Sequence, residues 1–264
     1  MKREEEMIAY ALEIEPSLLP YIPELLADLD ELGSDAEMIS AAISALNLPK
    51  SAEVIDLGCG KGAVAVEVAS ELGLKVTGVE LFAPFVTACE ELARVNGVDN
   101  LCTFVHGDIL KKVGVIAPVD VAIFAALGDV LGRLDETIAT IREYVKPGGY
   151  ILVSDVFLVA GGSSDYPGFE QYAAHDETIA RLTAHGDKLV QEILEDEDDE
   201  DDEDDEQEET GHDESALILK RARVIAAREP EVADAVLEFA ASQAAENEFI
   251  EANLVDALWV LKRA

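Results

Sequence analysis

The sequence predicts an α/β fold built on a doubly wound parallel sheet, and three observations lead to this prediction. Short apolar runs rich in β-branched residues recur between residues 53 and 156, as expected for strands. Each run is bounded by Gly, Pro or Asp, and helical patterning lies between several of them. Because apolar strands that alternate with helices form parallel sheets covered on both faces, this order of segments indicates a doubly wound domain.

Seven strands are predicted, at residues 53–57, 75–80, 101–105, 119–125, 150–156, 187–194 and 256–263. The first helix between them opens near Lys61 and ends before Gly73, and the second runs from Pro84 to Gly97. Proline is favoured in the first turn of a helix and glycine just beyond its end, so these residues mark the helix limits. A third helix is predicted over residues 130–145.

Two regions outside the strand–helix alternation are predicted to be helical. Residues 1–49 form an N-terminal helical cap, in which Ser34-Asp35-Ala36-Glu37 matches a capping box. Residues 50–264 form the main domain. This domain includes an acidic low-complexity loop at 195–211 and a helical insertion at 212–253, before the last strand.

The charge of the chain excludes several classes of partner. The sequence has 56 acidic and 19 basic residues, a formal net charge of −37, and residues 195–209 alone contain 14 acids and no base. An acidic surface repels phosphate backbones and anionic lipid headgroups, so we expect no nucleic-acid or membrane partner. The acidic run is interpreted as a solvated, self-repelling loop, with an interaction segment for a basic partner as the alternative.

Cysteine and histidine usage indicates neither a disulfide framework nor a metal site. The three cysteines are an odd number without a CxxC motif, and the four histidines have no companions at metal-ligand spacing. The N-terminus contains no apolar stretch of the signal-peptide type, and Asp120 interrupts the most apolar run. These features predict a cytoplasmic protein.

The sharpest motif is Asp56-Leu57-Gly58-Cys59-Gly60-Lys61-Gly62, a strand that enters a glycine-rich turn and then a helix. Glycines allow a tight turn and a close approach of ligand to backbone. Glu80 ends the next strand, where a carboxylate can accept both hydroxyls of a ribose. Gly107-Asp108 follows the third strand and can contact an adenine edge. By itself the turn also fits the dinucleotide fingerprint, through Gly58, Gly60 and Ala63.

Together with the turn Lys146-Pro147-Gly148-Gly149 before the fifth strand, this set resembles the class I S-adenosylmethionine-dependent methyltransferases. The likeness covers about residues 50–157 and is nearest to the small-molecule types 11 and 25. It implies a seven-stranded, mostly parallel Rossmann-like sheet that ends in an antiparallel hairpin, supplied here by 187–194 and 256–263. The intervening residues are far more numerous than is usual in the family.

The resemblance implies S-adenosylmethionine as the cofactor and assigns it a set of contacts. The turn would line the methionine part and Glu80 would hold the ribose hydroxyls. Leu81, Asp108 and Ile109 would contact the adenine, and the end of the fourth strand would face the sulfonium. The implied cofactor-binding residues are Asp56, Gly58, Cys59, Gly60, Gly62, Glu80, Leu81, Asp108, Ile109, Phe124 and Ala125.

The predicted reaction is direct displacement of the methyl group onto a small-molecule acceptor. Residues 124–127 lack the (N/D)PP(Y/F) motif of enzymes that act on amide or adenine nitrogens, and no cysteine follows Cys102. Asp155, at the end of the fifth strand, and His175, after an aromatic loop, are candidate general bases. A capping role for Asp155 and a solvated loop position for His175 are the alternatives.

Two other functions remain open from the sequence. A nicotinamide-dependent oxidoreductase is compatible with the glycine turn and Glu80, although Asp56, Gly107-Asp108 and the KPGG turn oppose it. The second is a non-catalytic cofactor-binding protein that holds a basic partner through its acidic segment.

Overall fold

A computed structural model of the protein describes residues 2–112, 114–194 and 214–264. These residues contain a seven-stranded mixed sheet flanked by helices, as predicted. The acidic loop predicted at 195–211 lies outside the described residues.

The strands are β1 (Glu53–Leu57), β2 (Lys75–Glu80), β3 (Cys102–His106), β4 (Val119–Ala125), β5 (Val145–Leu158), β6 (Lys188–Leu194) and β7 (Leu254–Lys262). Their order across the sheet is β3-β2-β1-β4-β5-β7-β6, and the pairs from β3 to β5 are parallel. At the start of β5, Gly148 N–H donates to Arg263 O (3.0 Å) and Gly149 O accepts from Arg263 N–H (2.8 Å). Since Arg263 follows the end of β7, β5 and β7 run antiparallel.

The helices are α1 (Lys2–Ala11), α2 (Ile22–Leu25), α3 (Ala36–Ala45), α4 (Ala63–Leu72), α5 (Ala83–Val95), α6 (Ile109–Lys112), α7 (Leu134–Arg142), α8 (His175–Leu182), α9 (Glu214–Arg228) and α10 (Ala233–Asn253). A 3₁₀-helix covers Pro16–Tyr21. Among the helices that the structure describes, none combines the length and the apolar character required to cross a bilayer.

The chain divides into two compact units. The helical unit contains Met1–Leu29 and Leu194–Val255. Within it α9 contacts α10 and α2, and Arg228 forms an ion pair with Glu24 (2.7 Å). This pair is partly exposed and contributes little to stability; burial of the apolar faces of α9 and α10 contributes more.

The sheet unit contains Asp30–Ile193 and Asp256–Ala264, so its boundary differs from the cap limit predicted at residue 49. The reason is α3, whose side chains Ile39 and Ile43 are buried in one apolar cluster with Ala65 and Val68 of α4. Residues 30–49 therefore pack with the sheet instead of forming part of a separate cap.

The predicted KPGG turn is part of β5, beside an irregularity in its pairing with β4. A Cβ on Gly149 would lie 2.7 Å from Asp120 O, which explains why glycine is required there. Lys146 Nζ contacts the Asp120 carboxylate at 3.1 Å. Beyond this point Ser154 of β5 pairs with Ala125, the last residue of β4, and β5 continues to Leu158.

The cap of α3 gives a first testable prediction. Asp35 Oδ1 accepts from Met38 N–H at 2.8 Å, so the N-cap is Asp35 and not Ser34, the first residue of the predicted capping box. We expect Asp35→Ala to lower the free energy of unfolding by about 1 kcal/mol, measured by urea denaturation. Ser34→Ala serves as the matched control and should have little effect; an equal loss in both variants would contradict this cap.

Candidate functional site

The glycine-rich turn follows β1 and leads directly into α4. Gly58, Gly60 and Gly62 have φ values of 76°, 52° and 93°, a left-handed region that residues with a Cβ rarely adopt. Gly62 is the N-cap of α4. The three glycines therefore turn the chain sharply at the carboxyl end of β1, where α/β sheets bind their ligands.

Four amides of this turn are hydrogen-bonded within the protein. Gly58 N–H and Cys59 N–H donate to Val79 O at 2.8 and 3.2 Å, and Gly62 N–H donates to Cys59 O at 2.8 Å. Gly60 N–H donates to Glu80 Oε2 at 3.0 Å. These four donors are thus already engaged and are not free for an anionic ligand.

Glu80 ends β2, and backbone N–H groups on both sides of its carboxylate hold it in place. Besides Gly60 N–H, it receives Phe82 N–H at Oε1, at 2.7 Å. Burial raises the pKa of Glu80, and the backbone donors oppose this shift. The backbone of Leu81 also donates to this carboxylate. The two oxygens of a carboxylate offer about four acceptor sites in total, so Glu80 can still accept hydrogen bonds from a ribose.

Asp56, in β1, is a buried carboxylate without a complete set of partners. It is 3% exposed, and within the described part of the chain its Oδ2 has no hydrogen-bond partner. Burial, and secondarily the charge of Glu80, raises the pKa of Asp56 to about 7. A buried, unsatisfied carboxylate is costly, and a nearby cation lowers that cost. This end of the sheet is therefore suited to a positively charged ligand.

The side chain of Cys59 faces the protein interior. Its thiol lies 3.9 Å from that of Cys89, and both cysteines are free and buried. A Cβ on Gly78 would lie 2.7 Å from Cys59 Sγ, so β2 needs glycine at that position. Only the backbone of Cys59 can contact a ligand in the turn.

The predicted adenine residues lie after β2 and β3. Leu81 and Ile109 are half-buried. Asp108 is already engaged, since its Oδ1 accepts from Leu110 N–H (2.9 Å) and its Oδ2 is 3.2 Å from Lys111 Nζ. The Tyr144 hydroxyl donates to Ile109 O and fixes the start of α6. A role for Asp108 in adenine binding stays a prediction.

The end of β4 differs from the expected arrangement at one residue. The resemblance implied that Phe124 faces the sulfonium, but its side chain is only 1% exposed and belongs to the core. Alternation along the strand places Ala125, which is half-buried, on the other face. Of the two residues, only Ala125 presents side-chain surface to a ligand.

Two leucines that sequence reasoning missed lie against the turn. A Cβ on Gly58 would be 2.4 Å from Leu127 Cδ1, and one on Gly60 would be 3.4 Å from Leu32 Cδ1. Leucines in loops have no chemical signature, and only the position of Leu127 just after β4 could have indicated its role. Both can shield a bound ligand from water.

The two candidate bases have different surroundings. Asp155 lies near the end of β5 and accepts from the Tyr172 hydroxyl at 3.0 Å. His175 is the first residue of α8, and its Nε2 is 2.7 Å from Glu192 Oε1 of β6. His175 is thus held by β6, whereas Asp155 lies beside the end of β4. In the part of the chain that the structure covers, no three potential metal-ligating side chains cluster together.

A protein-family model described as a methyltransferase domain matches residues 48–222, more than half of the chain. The chain belongs to the methyltransferase domain family. The resemblance read from the glycine turn, Glu80 and the KPGG motif is thereby confirmed. Membership of this family supports the predicted enzyme class, an S-adenosylmethionine-dependent methyltransferase, and the predicted cofactor.

Two solved structures show the same fold. They are S-adenosylmethionine-dependent methyltransferases from Geobacter sulfurreducens and Thiobacillus denitrificans, each in complex with S-adenosyl-L-homocysteine. They are 20% and 22% identical to this chain, with TM-scores of 0.74 and 0.71. The alignments cover 92% of this chain and 97% and 98% of the two neighbours.

Curated relatives match over part of their length. A probable cobalt-precorrin-6B C(15)-methyltransferase of Methanothermobacter thermautotrophicus is 28% identical over 127 residues, 48% of this chain and 64% of the relative. A ribosomal protein L11 methyltransferase of Shewanella piezotolerans is 39% identical over 142 residues, 51% of this chain and 45% of the relative. The chain thus spans roughly half the length of these relatives.

The raised pKa of Asp56 predicts a pH dependence of stability. In the folded protein the pKa of Asp56 is about 7, whereas in the unfolded chain the pKa of an aspartate is about 4. The folded state binds more protons between these values, so this group makes the protein less stable as pH rises from 4 to 7.

The Asp56→Asn variant should lack this contribution. We expect its unfolding free energy, measured without cofactor, to fall less than that of the wild type between pH 4 and 7. Asp30→Asn, at an exposed position, is the control and should keep the wild-type slope. If the unfolding free energies of wild type and Asp56→Asn changed equally with pH, the pKa of Asp56 would not be raised by burial.

Proposed function

We propose that the chain transfers the methyl group of S-adenosylmethionine to a small-molecule acceptor by direct displacement. The choice of cofactor is based on the hydrogen bonds that the backbone amides of the glycine-rich turn already make. The amides of Gly58, Cys59, Gly60 and Gly62 are consumed by internal bonds, while a dinucleotide needs free amides for its pyrophosphate. S-adenosylmethionine carries an ammonium and a sulfonium group, which suit the carboxylate of Asp56.

The residues at the carboxyl ends of β1, β2 and β4 would each contact a different part of the cofactor. Glu80, oriented by backbone donors, would accept the ribose hydroxyls. The glycine turn would admit the methionine part, and Leu81 and Ile109 would pack on the adenine. The bound cofactor supplies a methyl group that its sulfonium already activates. The protein then contributes orientation and exclusion of water, which can supply much of the rate.

A small acceptor is favoured by the charge of the chain and by the missing motifs. The formal net charge of −37 opposes binding to a nucleic acid, and residues 124–127 carry no amide- or adenine-methylating motif. The names of the relatives include precorrin, ribosomal-protein and sterol methyltransferases. They differ in acceptor, so the choice of a small molecule depends on the charge and the motifs.

Glu80→Ala in the full chain tests this proposal. Hydrogen bonds to a charged group contribute about 1.5–3 kcal/mol, so loss of the carboxylate should weaken S-adenosylhomocysteine binding about tenfold or more. Isothermal titration calorimetry measures the affinity, with NADH as the parallel ligand. Wild type should bind S-adenosylhomocysteine and not NADH.

The matched control is Glu90→Ala, an exposed glutamate on α5, which should bind like the wild type. Gly60→Val should abolish binding, since its φ of 52° excludes a β-branched residue; circular dichroism verifies that the variant is folded. Binding of NADH alone would support the oxidoreductase, and binding of neither ligand would contradict the proposed cofactor site.

A further inference from the structure

Asp155 lies at the same edge of the sheet as the glycine turn, but on the opposite side of β4. Ser154 pairs with Ala125, and Ala126 N–H donates to Ser154 O at 3.0 Å. On its other side, β4 pairs with β1 up to Asp56. Asp155 is therefore alongside the loop after β4, where an acceptor would approach a cofactor bound over β1 and β2.

Only one of the two carboxylate oxygens of Asp155 accepts hydrogen bonds from the described residues. Tyr172 Oη–H donates to Oδ1 at 3.0 Å, and Val156 N–H donates to the same oxygen at 2.9 Å. The hydrogen bonds that the described residues make to Asp155 thus all end on Oδ1. Oδ2 keeps its capacity to accept a hydrogen bond from a substrate.

Tyr172 connects the loop after β5 to the loop after β4. Its ring packs on Phe169, with centroids 5.4 Å apart. Its hydroxyl would lie 3.5 Å from a Cβ on Gly128, a residue with a φ of 48°. The Tyr172 hydroxyl thus lies close to the backbone of the loop after β4.

Two other carboxylates act electrostatically on Asp155 and add negative charge to this edge. They are Asp129 in the loop after β4 and Asp256 at the start of β7. Burial is the main cause that raises the pKa of Asp155 to about 6, the two carboxylates add to it, and the hydrogen bonds from Val156 and Tyr172 lower it. Above pH 6 the edge carries net negative charge, which favours a cationic acceptor.

We propose that Asp155 and Tyr172 form the acceptor end of the site, in which Asp155 Oδ2 receives a small protonated amine and Tyr172 positions the carboxylate. This inference rests on the proposed methyl transfer and specifies its substrate class. An amine suits Asp155 better than an alcohol does, because the pKa of an alkylammonium is about 10 and lies nearer to that of the base.

The proton and electron balance of the step is simple. The ammonium passes one proton to Asp155 Oδ2, which frees the lone pair of the nitrogen. That lone pair forms the new N–C bond while the S–C bond breaks, and the sulfur keeps the bonding electrons. Asp155 then releases its proton to solvent, so no further reactant is needed.

The test is a carbon-13 NMR titration of the full chain labelled at aspartate Cγ, with S-adenosylhomocysteine present. Asp155→Asn identifies the resonance. We expect it to titrate near pH 6 in the wild type and at higher pH in Tyr172→Phe, because the donor to Oδ1 is removed. Tyr166→Phe, in the same loop, is the control and should leave the midpoint unchanged.

Methylammonium chloride is then added at pH 7.5, with potassium chloride at equal ionic strength as the reference. A saturable shift of the Asp155 resonance with methylammonium alone, weakened in Tyr172→Phe, supports the proposal. An equal response to both salts, or the same effect of Tyr172→Phe and Tyr166→Phe, overturns it. Calorimetry on the same samples shows whether S-adenosylhomocysteine binds, so failure of the cofactor proposal is detected separately.

Discussion

The arrangement of the site depends on the hydrogen bonds that backbone amides donate to the carboxylate of Glu80. This carboxylate receives one amide from the glycine turn and the amides of Leu81 and Phe82 after β2, and so joins the ends of two neighbouring strands. A carboxylate that accepts backbone amides is held in one orientation before any ligand arrives. The left-handed glycines make this possible, because Gly60 can direct its N–H at Glu80 only in a conformation that a Cβ disfavours.

The same arrangement explains the choice between two cofactors that share a fold. In both, a glycine turn and an acidic residue at the end of the second strand line the ligand. The difference is in the amides, which serve Glu80 and Val79 here and leave Asp56 as an unsatisfied carboxylate. A turn whose four amides are engaged, beside an unsatisfied buried carboxylate, is better matched to a cationic ligand than to a diphosphate.

Much of the sheet could be predicted from the sequence. The limits of β1, β2 and β4 agree with the predicted runs, because buried parallel strands are short, apolar and bounded by turn residues. The discrepancies come from tertiary contacts. The β4–β5 pairing extends β5 through the KPGG motif, and burial of Ile39 and Ile43 joins α3 to the sheet unit.

The site was predictable only where a motif marks it. Ligand binding at a glycine-rich turn requires a fixed spacing of residues along the chain. Such a spacing is found for Asp56, the three glycines and Glu80, which lie together at one sheet edge. Tyr172 and Leu127 have no such spacing, since their roles arise from contacts with Asp155 and Gly58 that only the folded chain brings about. The burial of Phe124 could not be predicted from alternation, because both faces of β4 are covered and Ile123 on the opposite face is buried as well.

The most direct measurement is a crystal structure of the full chain with S-adenosylhomocysteine. We predict both ribose hydroxyls within hydrogen-bond distance of Glu80, with the amides of Gly60 and Phe82 still donating to the same carboxylate. The methionine part should lie on the glycine turn, and its ammonium should be on the side of Asp56. A ribose bound away from Glu80, or a ligand held by newly freed amides of the turn, would contradict this account.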